Sequence, residues 1–145
     1  MGIRKARPDD LPVIKELLRQ LGYPDTGPFL ANRILQLLDH PDAELLVYEH
    51  GETVAAVMSI HFIPQIALQG DFARISYFAV DEKFRSQGIG RKMEQYCTRL
   101  ARKRNCDRIE IHSHSLREAA HRFYFRQGYI EWPKYLIKPL QNPDV

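Results

Sequence analysis

Apolar residues between positions 11 and 38 recur at helical spacing. Leu11, Ile14, Leu17, Leu18 and Leu21 fall on one helical face, after Pro8-Asp9-Asp10 as an N-cap signal and before Gly22 and Pro24 as a stop. Phe29, Leu30, Ile34, Leu37 and Leu38 mark a second helix closed by His40-Pro41. Short apolar runs predict strands over Ile3 to Ala6, Leu45 to Tyr48, Val54 to Phe62, Ala73 to Val80 and Arg108 to His112. His50-Gly51 reads as a tight turn joining two of them into a hairpin. Helices are predicted over Gly88 to Lys103 and over Glu118 to Arg126, the latter ended by Gly128. The tail from Tyr129 to Lys138 is expected to add one or two last strands around Pro133.

The expected order is β-α-α-β-β-β-α-β-α-β-β. Helices interspersed among strands point to an α/β fold, a mixed central sheet with helices on both faces. The chain has 145 residues, 44% of them hydrophobic, which suits one compact domain over residues 1–145. No apolar run reaches the roughly 18 residues of a membrane span. The start, MGIRKARPDD, has no apolar h-region, so no secretory leader is expected. Two cysteines, Cys97 and Cys106, make neither a disulfide framework nor a metal site, and a cytoplasmic location follows as the simplest expectation. A net charge of +3 gives little support to nucleic acid as a partner, and an anionic small molecule suffices to explain a local basic patch.

Candidate chemistry sits where a strand ends and a glycine-containing loop opens a helix, in Val80-Asp81-Glu82-Lys83-Phe84-Arg85-Ser86-Gln87-Gly88-Ile89-Gly90-Arg91-Lys92. Backbone N–H groups at a helix start lack intrahelical partners and sit at the positive end of the helix dipole. Gly88 and Gly90 carry no Cβ, so an anion can approach the backbone, and Arg85, Arg91 and Lys92 add charge. A pyrophosphate is the natural guest. The plainer reading is a turn with a close helix–strand contact, and the spacing alone leaves both open. The loop is neither a P-loop, since no Gly-Lys-Ser/Thr follows, nor a dinucleotide fingerprint, since Met93 fills the third glycine position.

Arg85-x-x-Gly88-x-Gly90 after a strand resembles the acetyl-CoA signature of the GNAT acetyltransferases, Arg/Gln-x-x-Gly-x-Gly/Ala. The later stretch Ala120-His121-Arg122-Phe123-Tyr124-Phe125-Arg126-Gln127-Gly128-Tyr129 is similar to the second motif of that family, Ala-x-x-Phe-Tyr-x-x-x-Gly-Phe/Tyr. The element order is also the GNAT order, so the resemblance covers nearly the whole chain. Arg117 to Tyr129 is in addition locally similar to aminoalkylphosphonate acetyltransferases, a likeness that does not fix a substrate.

The resemblance implies an acyltransferase (EC 2.3.1 class) that moves acetyl from acetyl-CoA to a primary amine. It implies that Phe78, Ala79 and Val80 pair through their backbone with the amides of pantetheine, by strand addition to an edge splayed from Arg108 to His112. The pyrophosphate would meet the N–H groups of Ser86, Gln87, Gly88, Ile89, Gly90 and Arg91, with Arg85 as a further cofactor-binding residue. Tyr124 would protonate the leaving thiolate, a proton that a phenol carries at neutral pH. The family often removes the amine proton with a glutamate on the strand before the loop, where this chain has Tyr77. Glu110, His112 and Tyr77 are therefore the candidate bases, with His114 beyond them. The step matters, because an alkyl amine near neutral pH is only about one part in a thousand uncharged, a cost of roughly 4 kcal/mol. A weakly basic amine would need no dedicated base.

Cys97 and Cys106 read as structural thiols, so direct attack in a ternary complex is expected rather than an acetyl-cysteine. The tract His112-Ser113-His114-Ser115 lacks a placed third ligand, and no metal is expected. Arg33, His61, Gln65 and Arg74 are polar candidates for the acceptor cleft. A small-molecule amine such as an amino acid, polyamine or aminophosphonate is the first expectation, and a protein N-terminus or lysine the second. A non-catalytic CoA-binding regulatory domain is the alternative of another class, and a toxin acetylating aminoacyl-tRNA would need a broader basic face. The sequence leaves the oligomeric state open; family analogy adds a homodimer as one option, with the segment Trp132 to Leu140 as the part that could exchange. Another acyl-CoA as donor is left open.

Overall fold

The computed structural model describes residues 2–112, 118–132 and 136–140. Its contacts group into two compact units, Met1–Ile111 and His112–Val145. The first holds β1 (Gly2–Lys5), α1 (Leu11–Leu21), α2 (Leu30–Asp39), β2 (Ala43–His50), β3 (Thr53–Ile63), β4 (Phe72–Val80), α3 (Ile89–Lys103) and β5 (Arg108–Ile111). The second holds α4 (Glu118–Arg126). Short 3-10 turns occupy Pro8–Asp10 and Glu82–Phe84.

The five strands lie in the order β1-β2-β3-β4-β5. Neighbours pair antiparallel except β4 with β5, which run parallel. This is the mixed sheet expected, and the alternation along its strands sorts two cores. Leu46, Met58, Ile60 and Phe62 pack with Met93, Cys97 and Ala101 of α3. Leu45, Val47 and Val57 pack with Ile14 and Leu17 of α1 and Leu30 and Ile34 of α2. Because side chains alternate across a strand, the two clusters occupy opposite faces, so helices cover both sides. At 25 cal/mol per Å² each fully buried Leu, Ile or Met contributes about 1.5–3 kcal/mol, and the paired cores carry the stability of this unit.

Several local expectations change. Asp10 stands at the start of α1 but makes no side-chain cap there. Its carboxylate accepts from Arg4 Nη1 (2.8 Å), Arg4 Nη2 (2.9 Å) and Arg7 N (2.7 Å), tying the end of β1 to the first turn. Arg4 also pairs with Glu49. The hairpin turns on Gly51-Glu52 rather than His50-Gly51, since His50 still pairs with Thr53; Gly51 supplies the positive φ (+66°). No residue of 129–132 or 136–140 is in a strand. Ile130, Trp132, Leu136, Ile137 and Leu140 are exposed, and a strand needs a ladder partner as well as β propensity.

The sequence pattern gave no sign of a β-bulge in β4. Opposite β3 the register runs Ile60↔Ile75 and then Ser59↔Tyr77, so Ser76 is one residue in excess. Its hydroxyl donates to the Ser59 carbonyl at 3.1 Å. The excess residue shifts the alternation. Ala73 and Ile75 join the α3 cluster, as do Phe78 and Val80, whereas Ala79 joins the α1–α2 cluster. Tyr77 therefore shares the α1–α2 face, where its ring meets Tyr23 edge-on at 5.2 Å.

Candidate active site

The bulge falls one residue beyond the last rung between β4 and β5. The β4–β5 ladder has four rungs, from Phe72↔Arg108 to Ile75↔Ile111. β4 then runs on to Val80 alongside β3, with Met58↔Phe78, Val57↔Ala79 and Ala56↔Val80 as the rungs. β5 ends at Ile111, so β4 has no rung with it beyond Ile75, and the bulge at Ser76 bends β4 just past that point. The ladder is anchored at its other end. Asp107 N donates to Asp71 O at 2.8 Å, and a Cβ on Gly70 would lie 2.3 Å from the Asn105 carbonyl oxygen.

Beyond β4 the chain is held turn by turn. Asp81 N donates to Ala55 O (2.8 Å), and the Asp81 carboxylate accepts from Lys83 N (3.0 Å). Glu82 N donates to Gln20 Oε1 of α1 (3.1 Å). Arg85 Nε reaches back to the Val80 carbonyl at 3.3 Å, so that guanidinium sits at the mouth of the strand end. Ser86 and Gly88 both take positive φ, +64° and +79°. α3 starts at Ile89, one residue later than the sequence pattern indicates, because Gly88 is left-handed at the N-cap. No side chain caps this end. The first helical bond is Lys92 N to Gly88 O (3.1 Å), so the N–H groups of Ile89, Gly90 and Arg91 point out of the helix start. A Cβ at Gly88 would meet nothing within 4 Å, so the cradle is open. Gln87, Arg85 and Arg91 are exposed beside it, and Lys92 donates to the Tyr48 hydroxyl at 3.4 Å. The residues present fit a diphosphate: uncapped amides, a helix dipole and flanking cations.

The α1–α2 face of the sheet is apolar beneath its helices and turns polar toward β5. Arg74 is register partner of both His61 on β3 and Glu110 on β5, so three polar side chains lie in a row across adjacent strands. Arg74 Nη2 donates to Glu110 Oε1 at 2.8 Å. Arg74 Nε is buried and has no hydrogen-bond partner among the described residues, which costs about 1–3 kcal/mol if nothing compensates. His61 is half-buried, and burial, then His40 and Arg74, push its pKa down. Those causes favour the neutral imidazole beside the guanidinium.

Of the other sequence candidates, Gln65 belongs to its own loop, donating to Gly70 O (2.6 Å) and accepting from Ala67 and Leu68 N–H (2.7 Å each). Arg33 is exposed on α2 and bonded to Gln36. Cys97 is fully buried and its thiol is pushed up to about 12, by burial first and then by Glu94. Burial also raises Cys106. A thiol that keeps its proton is not a nucleophile. Glu94 is buried in α3 and accepts from Thr98 Oγ1 (3.0 Å). Among the described residues no group of three His, Cys, Asp or Glu could hold a metal, and no helix is long and apolar enough to cross a membrane.

In the second unit Tyr124 is buried in α4, its ring 5.2 Å from that of Phe123 and 5.4 Å from that of Tyr129. Tyr129 N donates to Tyr124 O (3.1 Å), and Gly128 takes φ +94° to end the helix. His112 is exposed at the start of this unit. His114, Ser113 and Ser115 lie outside the described residues.

The mixed sheet and the glycine loop that opens α3 agree with the acetyltransferase class. The chain belongs to the Acetyltransferase (GNAT) family, whose model matches residues 11–129. No significant match is found among curated proteins. Solved structures share the fold. A transcriptional regulator from Bacillus halodurans C-125 superposes with TM-score 0.87 at 22% identity, covering 95% of this chain and 98% of that one. A GNAT family acetyltransferase of Staphylococcus aureus gives 0.79 at 21%, covering 97% and 100%. An aminoglycoside acetyltransferase from an uncultured soil sample gives 0.76 at 18%, covering 95% of each chain.

Proposed function

We propose that this chain is an acetyl-CoA-dependent N-acetyltransferase acting on the primary amine of a small molecule by direct attack in a ternary complex. The observation that carries the reading is the juxtaposition at β4. The last rung with β5 (Ile75↔Ile111), the bulge at Ser76 and the open cradle at Gly88 follow one another within fourteen residues, so one segment offers both a strand edge for amides and amides for a diphosphate. GNAT enzymes generally use acetyl-CoA, which supplies an activated thioester. Residues 1–145 are read as one domain, consistent with a family match that spans both units.

Ala79 and Val80, with Phe78, align the pantetheine arm in this reading, and Arg85 gives up the Val80 carbonyl to it. Ser86 to Arg91 hold the diphosphate. Tyr124, assigned by the family motif, holds the phenolic proton for the departing thiolate. Direct attack is supported by the two protonated thiols, Cys97 and Cys106, which leave no sulfur nucleophile for an acetyl-enzyme. Amine deprotonation is assigned among His112, Tyr77 and Glu110. Glu110 pairs with Arg74, so its variant also breaks an ion pair, and all three groups are to be varied. The free cysteines support a cytoplasmic setting, and exposed Trp132, Leu136, Ile137 and Leu140 support a homodimer.

A second reading, a CoA-binding domain without catalysis, is favoured by Tyr77 at the position where the family often has a glutamate. Calorimetric titration with acetyl-CoA, with CoA as control, followed by thiol-release assays on amines, separates the two. Micromolar binding with turnover supports the enzyme. Binding without turnover on any free or peptide amine supports the second reading. No binding by folded protein refutes both.

A further inference from the structure

Gln20 of α1 and Glu82 beyond β4 stand 62 positions apart and are joined by one hydrogen bond, from Glu82 N to Gln20 Oε1 at 3.1 Å. Each N–H of the 3-10 turn Glu82–Phe84 has an acceptor. Lys83 N donates to the Asp81 carboxylate (3.0 Å) and Phe84 N to the Asp81 carbonyl (2.8 Å), both within the loop. Glu82 opens the turn, where an N–H has no partner inside it, and its acceptor comes from α1. Gln20 thus tethers from outside a turn that ends at Phe84, just before Ser86 and the anion cradle.

The tether is itself held. Gln20 Nε2 donates to Glu16 Oε2 at 2.9 Å, and Arg19 grips the same carboxylate through Nε and Nη2 at 2.8 Å each. Hydrogen bonds from Arg19 first and Gln20 second hold the Glu16 carboxyl down to about 2, so near neutral pH it only accepts. The Gln20 amide nitrogen must therefore face Glu16, which turns the amide oxygen to the Glu82 N–H. A flipped amide would set oxygen against a carboxylate and nitrogen against an N–H. Exposed as it is, the Arg19–Glu16 pair adds little stability, and its effect is to fix that amide. Charge across the same gap is complementary, since Lys83 attracts Glu16 and Glu82 attracts Arg19. Just past α1 the Tyr23 ring meets Tyr77 of β4, so this end of the helix touches the chain on both sides of Phe78 to Val80.

We propose that Gln20 is a positioning residue for the diphosphate cradle, acting through the Glu82 N–H, with Glu16 and Arg19 setting the direction of its amide. The inference rests on the acetyltransferase reading and adds to it a residue outside the glycine loop.

The test uses the intact chain, with acetyl-CoA as the probe in calorimetry, and thermal melts and amide hydrogen exchange by NMR on the free protein. Gln20→Met keeps the side-chain length and removes the acceptor oxygen. It is expected to weaken acetyl-CoA about three- to tenfold, the effect of one hydrogen bond. Its Tm should stay within about 2 °C of the parent's. Exchange should quicken at Glu82 and from Ser86 to Arg91 while the amides of α1 keep their rates. Gln20→Glu sets two carboxylates four residues apart and should weaken binding too. Glu16→Gln combined with Gln20→Glu reverses donor and acceptor between the two positions and still presents an oxygen to Glu82. Affinity should then return to within about twofold of the parent's. A merely structural role would instead lower Tm and quicken exchange throughout α1, with binding following stability. Full affinity in Gln20→Met, a loss that tracks Tm, or a double exchange no better than Gln20→Glu overturns the proposal. A folded parent chain that does not bind acetyl-CoA overturns the acetyltransferase reading, and the positioning role falls with it.

Discussion

Replacing Gly88 with alanine tests the cradle without introducing a clash. Gly88 sits at φ +79°, and a Cβ there meets nothing within 4 Å, so the cost is conformational alone. An L-residue in the left-handed region loses about 1–2 kcal/mol, and alanine recovers about 0.4–1 kcal/mol by restricting the unfolded chain. The net is a loss of about 1 kcal/mol, which for a chain of this size lowers Tm by about 3 °C. Ser86, two residues earlier, is the converse case, because a serine already pays for φ +64°. Ser86→Gly relieves that strain against the extra chain entropy of glycine, a net gain of about 0.5 kcal/mol. Thermal melts monitored by circular dichroism should therefore move in opposite directions. Calorimetry on the same variants should show Gly88→Ala weakening acetyl-CoA about tenfold, as a loop that relaxes toward negative φ turns at least one amide away from the diphosphate. Gly88→Asn, which tolerates the left-handed region, should lie between. Melts that shift in the same direction, or Gly88→Ala binding acetyl-CoA at full affinity, would refute the reasoning.

Tyr124→Phe should lower kcat while leaving the acetyl-CoA Kd within twofold or so of the parent value; equal turnover removes the acid role. Gly70→Ala forces a Cβ against backbone at 2.3 and 2.7 Å, so it should cost about 2 kcal/mol and about 6 °C in Tm, and an unchanged melt would show that the loop at Gly70 does not hold β4 to β5. His61 has a folded-state pKa below its ordinary value, so the unfolded chain takes up the proton first. Its contribution is fully present above pH 6.5 and is lost as pH falls from there through the folded-state pKa. Melts between pH 8 and 5 should show a drop that His61→Gln flattens, distinct from the loss below pH 3.8 expected from Asp10, whose carboxyl is held down by Arg4.

The helices and most strands were legible because each buries one face with a clear period. Leu11 to Leu21 and Ile89 to Ala101 show it over several turns, and both are found as helices packed on opposite sides of the sheet. The glycine loop opening α3 was legible from its place after a strand and before a helix, while its spacing alone left a plain turn and an anion site both open. The bulge was not. Ala73, Ile75, Tyr77 and Ala79 alternate as if on one face, and only the register opposite β3 reveals that Ser76 is in excess. The Arg74 row was hidden for the same reason: His61 and Glu110 are 49 positions apart in the numbering and meet only through pairing. The tail beyond Tyr129 carries strand propensity in Ile130, Trp132 and Ile137, yet propensity does not supply a partner strand.

The extra residue at Ser76 has a bearing on how this chain tolerates deletion. Loss of one residue from a strand ordinarily inverts every side chain downstream. At Ser76 it would not, since Tyr77 already faces as though Ser76 were absent, and Phe78, Ala79 and Val80 follow suit. A chain shortened there keeps the alternation that fills both cores. A single three-nucleotide deletion at this position would thus remove the bend of β4 while leaving the side chains of both faces in register.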